Sequence, residues 1–328
     1  MVEKKIVETG AIERNLNRLL EHRTAGNPDD AAIRFTDLSP HQLAQRLQQL
    51  GTPASHETVR QWMGEQKLRL RQIQKVLSCG HSVHRDQQFE RIAELIEQYQ
   101  VAGNPYFSVD TKARECLGQL YRQGRVRCTQ PFQAFDHDFP TLATGVVVPH
   151  GIYDPVHNCG HLNLGVSRDT TQFACDSLAW FWQQIGQSRY PAARAILILC
   201  DGGGSNSARK YIFKYDLQRL ANRIGLEIRI AHYPSYCSKY NPIERRCFPQ
   251  VGRACQGRLF DSLDTVVALM RKATTSTGLK TTVNVIHQKY LAGREATEEI
   301  KRNLEIVYDE LLPQWNYRAI PQNPTLVV

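Results

Sequence analysis

Residues 195–201 read Ala-Ile-Leu-Ile-Leu-Cys-Asp, an unbroken apolar run closed by a carboxylate. The run is far too short to cross a bilayer, and it lacks the alternation of a half-solvated strand. It predicts a strand buried on both faces, which places the chain among folds with a covered, largely parallel sheet. The neighbouring pattern agrees. Tyr106–Asp110 (YFSVD) is a second short apolar run ending in a carboxylate, and Thr144–Tyr153 and His161–Val166 are β-type runs spaced to pair as a hairpin. Thr171–Gln187 has helical spacing through Phe173, Leu178, Phe181 and Trp182; Lys214–Ile224 is helical again and Leu226–His232 is strand. The order is three strands, helix, strand, helix, strand, then a helix around Glu244. That is an α/β domain whose sheet is mixed and flanked by helices.

Upstream, residues 1–100 read as almost wholly helical. Gly103-Asn104-Pro105 is turn chemistry, so the expected division is a helical N-terminal region over 1–103, an α/β domain over 104–290 and a helical C-terminal tail over 291–328. Leu304, Ile306, Val307 and Leu311 carry the helical spacing of that tail. The sharpest local signal lies at about 38–64. Ser39-Pro40-His41-Gln42 is a capping box with proline in the first turn, and Leu43, Leu47 and Leu50 follow at helical spacing to Gly51. Ser55 is a second N-cap, after which Val59 and Met63 bury one face and His56, Arg60 and Gln61 project outward. Two short helices on a tight turn match the helix-turn-helix plan, whose second helix enters the major groove. Arg60, Lys67, Arg71 and Lys75 would share one face along phosphates if the helix continued; a plain helical hairpin with a solvated basic face fits the same residues.

Lys and Arg number 41 against 32 Asp and Glu, a net charge of +9 that suits a polyanionic partner. Met1–Lys5 leads into a charged helix and not an apolar core, so no signal peptide is expected, nor a membrane partner. Nine cysteines are an odd number without a close C-x-x-C pair. They indicate a reducing cytoplasm and no disulfide framework. Cys79, His81 and His84 are the nearest approach to a zinc cluster and lack a spaced fourth ligand.

Asp110, Asp201 and Glu244 sit at two strand ends and in the first turn of a helix. Hard divalent cations take oxygen ligands, and two such ions can activate an attacking oxygen and stabilise a leaving one at a phosphodiester. On spacing alone Asp138, Asp154 and Asp169 are rival ligands, and each acid could equally be a surface loop residue. Asp201-Gly202-Gly203-Gly204-Ser205-Asn206 is neither a Walker A loop nor a dinucleotide fingerprint. Its glycines let backbone approach a phosphate or metal, with Ser205 or Asn206 as the cap of the next helix.

At these residues the chain resembles the insertion-sequence transposases of the Rhodopirellula transposase DDE domain family. The matching stretches are SVDTK (108–112), FDHDFP (135–140), GIYD (151–154), GVSRDTTQFA (165–174), CDGGGSNSARK (200–210), YNPIERRCF (240–248) and TTSTGL (274–279). The resemblance implies an RNase H-like catalytic domain in which Asp110, Asp201 and Glu244 form the DDE triad. It also implies two Mg²⁺ ions, with Mn²⁺ as a substitute: Asp110 and Asp201 bridge them and Glu244 completes one site. The expected partners are transposon ends and target DNA, with at least a dimer on DNA, in a bacterial cytoplasm at the nucleoid. His56, Arg60, Gln61, Lys67, Arg71 and Lys239 are the expected DNA contacts. Asn206, Lys239 and Asn241 are candidates for phosphate or metal-shell contacts or for buried structural roles; Lys112 could meet DNA or be solvated. Arg245, Tyr240 and Tyr236-Cys237 depart from the family's usual His, Trp and Gly-Thr, and a further helical segment is usual before the part matching 11–30. Two alternative functions share these features: a degenerate transposase that only binds DNA, and an RNase H-like nuclease without strand transfer.

Overall fold

The computed structural model describes residues 2–21, 24–27, 30–71, 84–136, 139–206 and 210–322. The chain divides into two units, 1–76 and 77–328.

The first unit holds α1 (Val2–Glu21), strands β1 (Thr24–Asn27) and β2 (Asp30–Thr36), and helices α2 (Pro40–Gln49) and α3 (His56–Glu65). It is therefore not all-helical: β1 and β2 pair antiparallel. The sequence from Ala31 to Thr36 alternates rather than following a helical period, which is the pattern of a strand. The helical pair forms as its caps dictate. The Gln42 amide donates to Ser39 Oγ at 3.3 Å and the Ser39 amide to Gln42 Oε1 at 2.8 Å, a complete capping box. The Thr58 amide donates to Ser55 Oγ at 3.1 Å. Leu43, Leu47, Val59, Trp62 and Met63 bury together with Leu16 and Leu20 of α1.

Both helices stop in the same way. Gly51, at φ 74°, lets the Thr52 amide reach the Leu47 carbonyl and its own amide reach Gln48. At the end of α3 the left-handed residue is Lys67, φ 60°, with the Leu68 amide on the Met63 carbonyl and the Lys67 amide on Gly64. These are Schellman closures. Helix α3 thus ends at Glu65, and the single basic helical face expected for Arg60, Lys67 and Arg71 does not exist. Lys75 lies outside the described residues, as do Cys79 and His81 of the zinc expectation.

The second unit begins with α4 (Arg85–Val101) and β3 (Tyr106–Thr111), followed by β4 (Glu115–Leu117), β5 (Gly145–Asp154) and β6 (Cys159–Gly165). Helix α5 (Thr171–Phe181) runs through one π turn into the short α6 (Gln187–Arg189). Then come β7 (Ala195–Asp201), α7 (Tyr211–Ile224), β8 (Glu227–Tyr233), α8 (Pro242–Arg246), α9 (Phe248–Cys255), α10 (Leu263–Met270), β9 (Lys280–Ile286), α11 (Glu298–Arg302), β10 (Ile306–Tyr308) and β11 (Asn316–Ala319). The sheet order is β10-β11-β8-β7-β3-β5-β6-β9, with β4 on the margin of β5. Strands β3, β7 and β8 are parallel, and β5 runs antiparallel to β3. This mixed sheet is the RNase H-like class that the resemblance implies.

Each face of the sheet carries helices. Phe107, Val109, Ile152, Ile196, Ile198 and Ile230 face α5 and α7. The alternate residues face the other way: Leu197, Leu199 and Ala231 meet Ile92, Leu95 and Tyr99 of α4, and Tyr153, Leu162 and Leu164 meet α8, α9 and α10. Ile196–Cys200 are all buried, as the apolar run requires.

Two expected boundaries are corrected by this packing. The apolar stripe of α4 is completed only by the sheet, so α4 belongs to the second unit and the chain divides near residue 76, not 103. Gly103-Asn104-Pro105 is a tight turn inside that unit, where Asn104 Oδ1 accepts from the Arg194 and Ala195 amides at 2.9 and 3.2 Å. Nor is 291–328 a helical tail. Apart from the five-residue α11 it supplies β10 and β11, and β11 pairs antiparallel with the free edge of β8. An unpaired edge of buried strand is costly, and Ile306–Tyr308 are better strand than helix formers. Among the described residues no helix is long and apolar enough to cross a membrane, and the eight described cysteines are all free.

Candidate active site

The site is built on strand register. Strands β3 and β7 pair in parallel with Ser108 opposite Leu199, so two residues further on Asp110 and Asp201 come level at the carboxyl ends of adjacent strands. In open α/β sheets that end of the strands is where ligands bind. Across β3 on its other side, Asp110 faces Gly151 of β5. Directly opposed residues point to the same face, and a Cβ at Gly151 would stand 2.5 Å from Phe248 Cε1 and 2.7 Å from Ile243 Cδ1. Glycine at 151 is what lets α8 and α9 lie against the sheet beside Asp110.

A buried polar link fixes α8 in place. Ser108 and Asn241 are both fully buried. Ser108 Oγ donates to Asn241 Oδ1, the Ile243 amide donates to Ser108 Oγ at 2.8 Å, and Asn241 Nδ2 donates to the Val109 carbonyl at 3.1 Å. The link ties the loop before α8 to β3 two residues from Asp110, and Glu244 follows Ile243 directly. Asn241 is accordingly structural, and Ser108 was missed by sequence reasoning; its only signal was a hydroxyl inside an apolar strand.

The result is a cluster of half-buried carboxylates. Burial pushes the Asp110 carboxyl up to about 8, assisted by the charge of Asp201 and by a hydrogen bond shared with Glu244. The Thr111 amide opposes this by donating to Asp110 Oδ1 at 2.8 Å. Asp201 is also raised by burial, with the Gly203 amide acting against the shift. Like charges gathered at one sheet end favour a proton or a bound cation. An all-oxygen donor set of this kind suits a hard divalent ion. Among the described residues no three His, Cys, Asp or Glu side chains converge on a single ion position. Asp201 and Glu244 each lie close enough to Asp110 to raise its pKa, while the Thr111 amide donates to its carboxylate.

The rival acids separate clearly. Asp154 is buried at the far end of β5, held by Arg189 and His157 at 2.9 Å each and by Tyr190 at 3.0 Å. Asp138 lies outside the described residues. Asp169 is different: exposed, it accepts from Thr111 Oγ1 at 3.4 Å and lies within the field of Asp201. The glycine-rich segment ends in a 3₁₀ turn at Gly204–Asn206, and α7 starts at Tyr211 behind Lys210, so neither Ser205 nor Asn206 caps it. Asn206 is buried. Lys112 is paired with Glu115. Lys239 is exposed, with its ammonium 5.2 Å from the Tyr240 ring centre. Tyr240 packs edge-on against Phe89 of α4 at 5.0 Å. In the first unit His56, Arg60 and Gln61 are exposed on α3, Arg60 pairing with Glu57 at 2.6 Å, and Lys67 and Arg71 are exposed beyond its end.

The Rhodopirellula transposase DDE domain model matches residues 15–321. The chain belongs to this family. It is a DDE transposase by membership, and the match runs through both units. Among solved structures the chain is similar to the Mos1 transposase paired-end complex with left transposon end, at 16% identity and a TM-score of 0.41, covering 76% of this chain and 67% of that one. The Mos1 mariner paired-end complexes with Mn and with Mg match at 15% and 17% identity, with TM-scores of 0.40 and 0.39 and the same coverage. A search among curated proteins finds no match.

Proposed function

We propose that this DDE transposase cleaves the phosphodiester at the ends of its own element and joins the freed 3′-hydroxyl to target DNA. The observation that carries the reading is the register that brings Asp110 and Asp201 level at the carboxyl ends of adjacent strands, with Glu244 in the helix tied to β3 beside them, in a chain of this family. Asp110, Asp201 and Glu244 would hold Mg²⁺, or Mn²⁺ in its place; when bound, such ions lower the pKa of attacking water and polarise the phosphoryl oxygen. The chain's own residues orient the carboxylates. The Thr111 and Gly203 amides aim Asp110 and Asp201, and the Ser108–Asn241 link sets the height of Glu244 over the strand. Neither cleavage nor joining needs a protein nucleophile, because water attacks first and the 3′-hydroxyl second.

DNA is bound in this reading by α3, with His56, Arg60 and Gln61 toward base edges and Lys67 and Arg71 toward phosphates, and separately by Lys239 of the second unit toward phosphate. Joining two ends requires at least two copies of the chain on DNA, in the cytoplasm at the nucleoid. The test uses labelled duplexes carrying the sequences that flank the gene, incubated with Mg²⁺ or Mn²⁺ and either the wild type or Glu244→Gln. Loss of a metal-holding carboxylate should cut product formation by more than the ~100-fold typical of outer-shell changes. Wild-type end nicks and joined products, absent from the variant, support the reading. Nicks without joining leave a nuclease, and binding without products from either protein leaves a DNA-binding remnant.

A further inference from the structure

Two clefts meet at Asp169. One, of about 630 Å³, is lined by Gly204, Ser205, Lys210, Tyr211 and Lys301; the other, of about 540 Å³, by Thr111, Lys112, Arg114 and Arg168. Asp169 and Ala292 line both, so the two are halves of one trough. The trough borders the carboxylates: Thr111, in its wall, donates its amide to Asp110 Oδ1 at 2.8 Å, and Asp169 lies within the field of Asp201. Each cleft carries exposed cations, and the larger also carries an exposed carboxylate, Glu295, within the field of Lys301. Lys112 shares Glu115 with Arg122, and Lys301 pairs with Glu298 at 2.6 Å, while Arg114, Arg168 and Lys210 are exposed. Arg294, in the wall of the larger cleft, is spent on Asp216 through bonds of 3.0 and 3.1 Å and serves to hold the 291–296 segment. Between Arg114 and Arg168 on one side and Lys210 on the other stands a second exposed carboxylate, Asp169, tethered by Thr111 Oγ1 at 3.4 Å.

We propose that the trough carries the backbone of a single DNA strand past Asp110 and Asp201, and that Asp169 sets the strand's register by repelling phosphate from its own position. The inference rests on the DNA-cleaving reading above and adds to it a path and a positioning residue. Cations in both clefts attract phosphates at two places, and an anion between them leaves only registers in which no phosphate meets Asp169. A smooth basic groove would let the strand slide. Asp169 needs no contact with the reacting atoms to act in this way. Its hydrogen bond from Thr111, whose amide also donates to Asp110, keeps its charge at a fixed point relative to that carboxylate.

The test is anisotropy of the full-length chain with a fluorescein-labelled 30-nucleotide single strand and, separately, the corresponding duplex, titrated from 50 to 200 mM salt. Arg114→Gln and Lys210→Gln should each reduce the slope of log K against log salt for the single strand by about 0.7, with Lys210→Arg retaining it. Asp169→Asn should bind the single strand more tightly, by up to about fivefold, because a like charge has left the track. On the flanking-sequence duplex, Asp169→Asn should spread the cut over neighbouring phosphodiesters where the wild type cuts one. Unchanged slopes in both glutamine variants, or changes seen only with duplex, overturn the track. Unchanged or weaker binding by Asp169→Asn, or an undisturbed cut position, overturns the register role. Changed slopes in a chain that cuts nothing would instead refute the catalytic reading and leave the track standing.

Discussion

The replacement Gly151→Ala tests how the site is assembled, because it adds one carbon where the structure has no room. The new Cβ would stand 2.5 Å from Phe248 Cε1, 2.7 Å from Ile243 Cδ1 and 2.9 Å from Phe248 Cζ. Both obstructing side chains are buried, so neither ring nor methyl can swing into solvent. Overpacking of this kind costs about 1–3 kcal/mol. For a unit of this size a kilocalorie moves the midpoint by roughly 2–4 °C, so Gly151→Ala should melt about 2–12 °C below the wild type. The strain falls on the contact between β5 and the α8–α9 pair, and the cheapest relief is to lift α8 and Glu244 away from Asp110. Cleavage should therefore drop at temperatures where the variant is still folded. The double variant Gly151→Ala/Phe248→Leu, which removes ring atoms at the clash, should recover part of both losses. Differential scanning fluorimetry and the end-cleavage assay read the two quantities separately. A Gly151→Ala variant that melts and cuts like the wild type would refute the claim that close approach at Gly151 places the glutamate.

Three further outcomes follow from the packing. Ser108→Ala leaves the Ile243 amide and Asn241 Oδ1 without their partner and should cost about 1–3 kcal/mol in urea unfolding, with a larger loss of cleavage than of DNA binding. Asp309 joins Arg91 of α4, at 2.9 Å, to Arg229 of β8, so Asp309→Ala should cost about 3–5 kcal/mol; a loss below 1 kcal/mol would mean that the C-terminal strands are not held by this pair. Burial depresses the histidines His150 and His161, to about 3 and about 4. A depressed folded pKa means that the unfolded chain binds the extra proton first, so their contribution is intact above about 6.5 and is lost as pH falls toward 4. His150→Gln should flatten the pH dependence of the urea midpoint between pH 6 and 4.5 by up to about 1.4 kcal/mol per unit, and an unchanged slope would count against a neutral buried imidazole.

The contrast between Gly51 and Lys67 shows what local sequence can announce. Both residues close a helix by the same hydrogen bonds, yet only glycine signals a left-handed residue in advance. Lys67 takes the conformation because Leu68 packs under the first unit's core, a contact that no window of sequence contains. The same division explains the boundaries. The tight turn at 103–105 has the composition of a linker, yet Asn104 bonds to the start of β7 and belongs to the second unit. The apparent helical spacing of Leu304, Ile306 and Val307 lost to the open edge of β8.

By itself, the sequence determined the elements whose information is local: the capped helices α2 and α3, the doubly buried β7, the hairpin β5–β6 and the carboxylates at two strand ends. Periodicity and capping chemistry act over a few residues and need no partner to be read. Tertiary structure alone decided that α4 joins the sheet, that residues 306–319 extend it, and that Ser108, Asn241 and Gly151 hold Glu244 beside Asp110. Those facts depend on register between strands far apart in the chain and on the exclusion of single atoms, and neither exists until the faces of the sheet are packed.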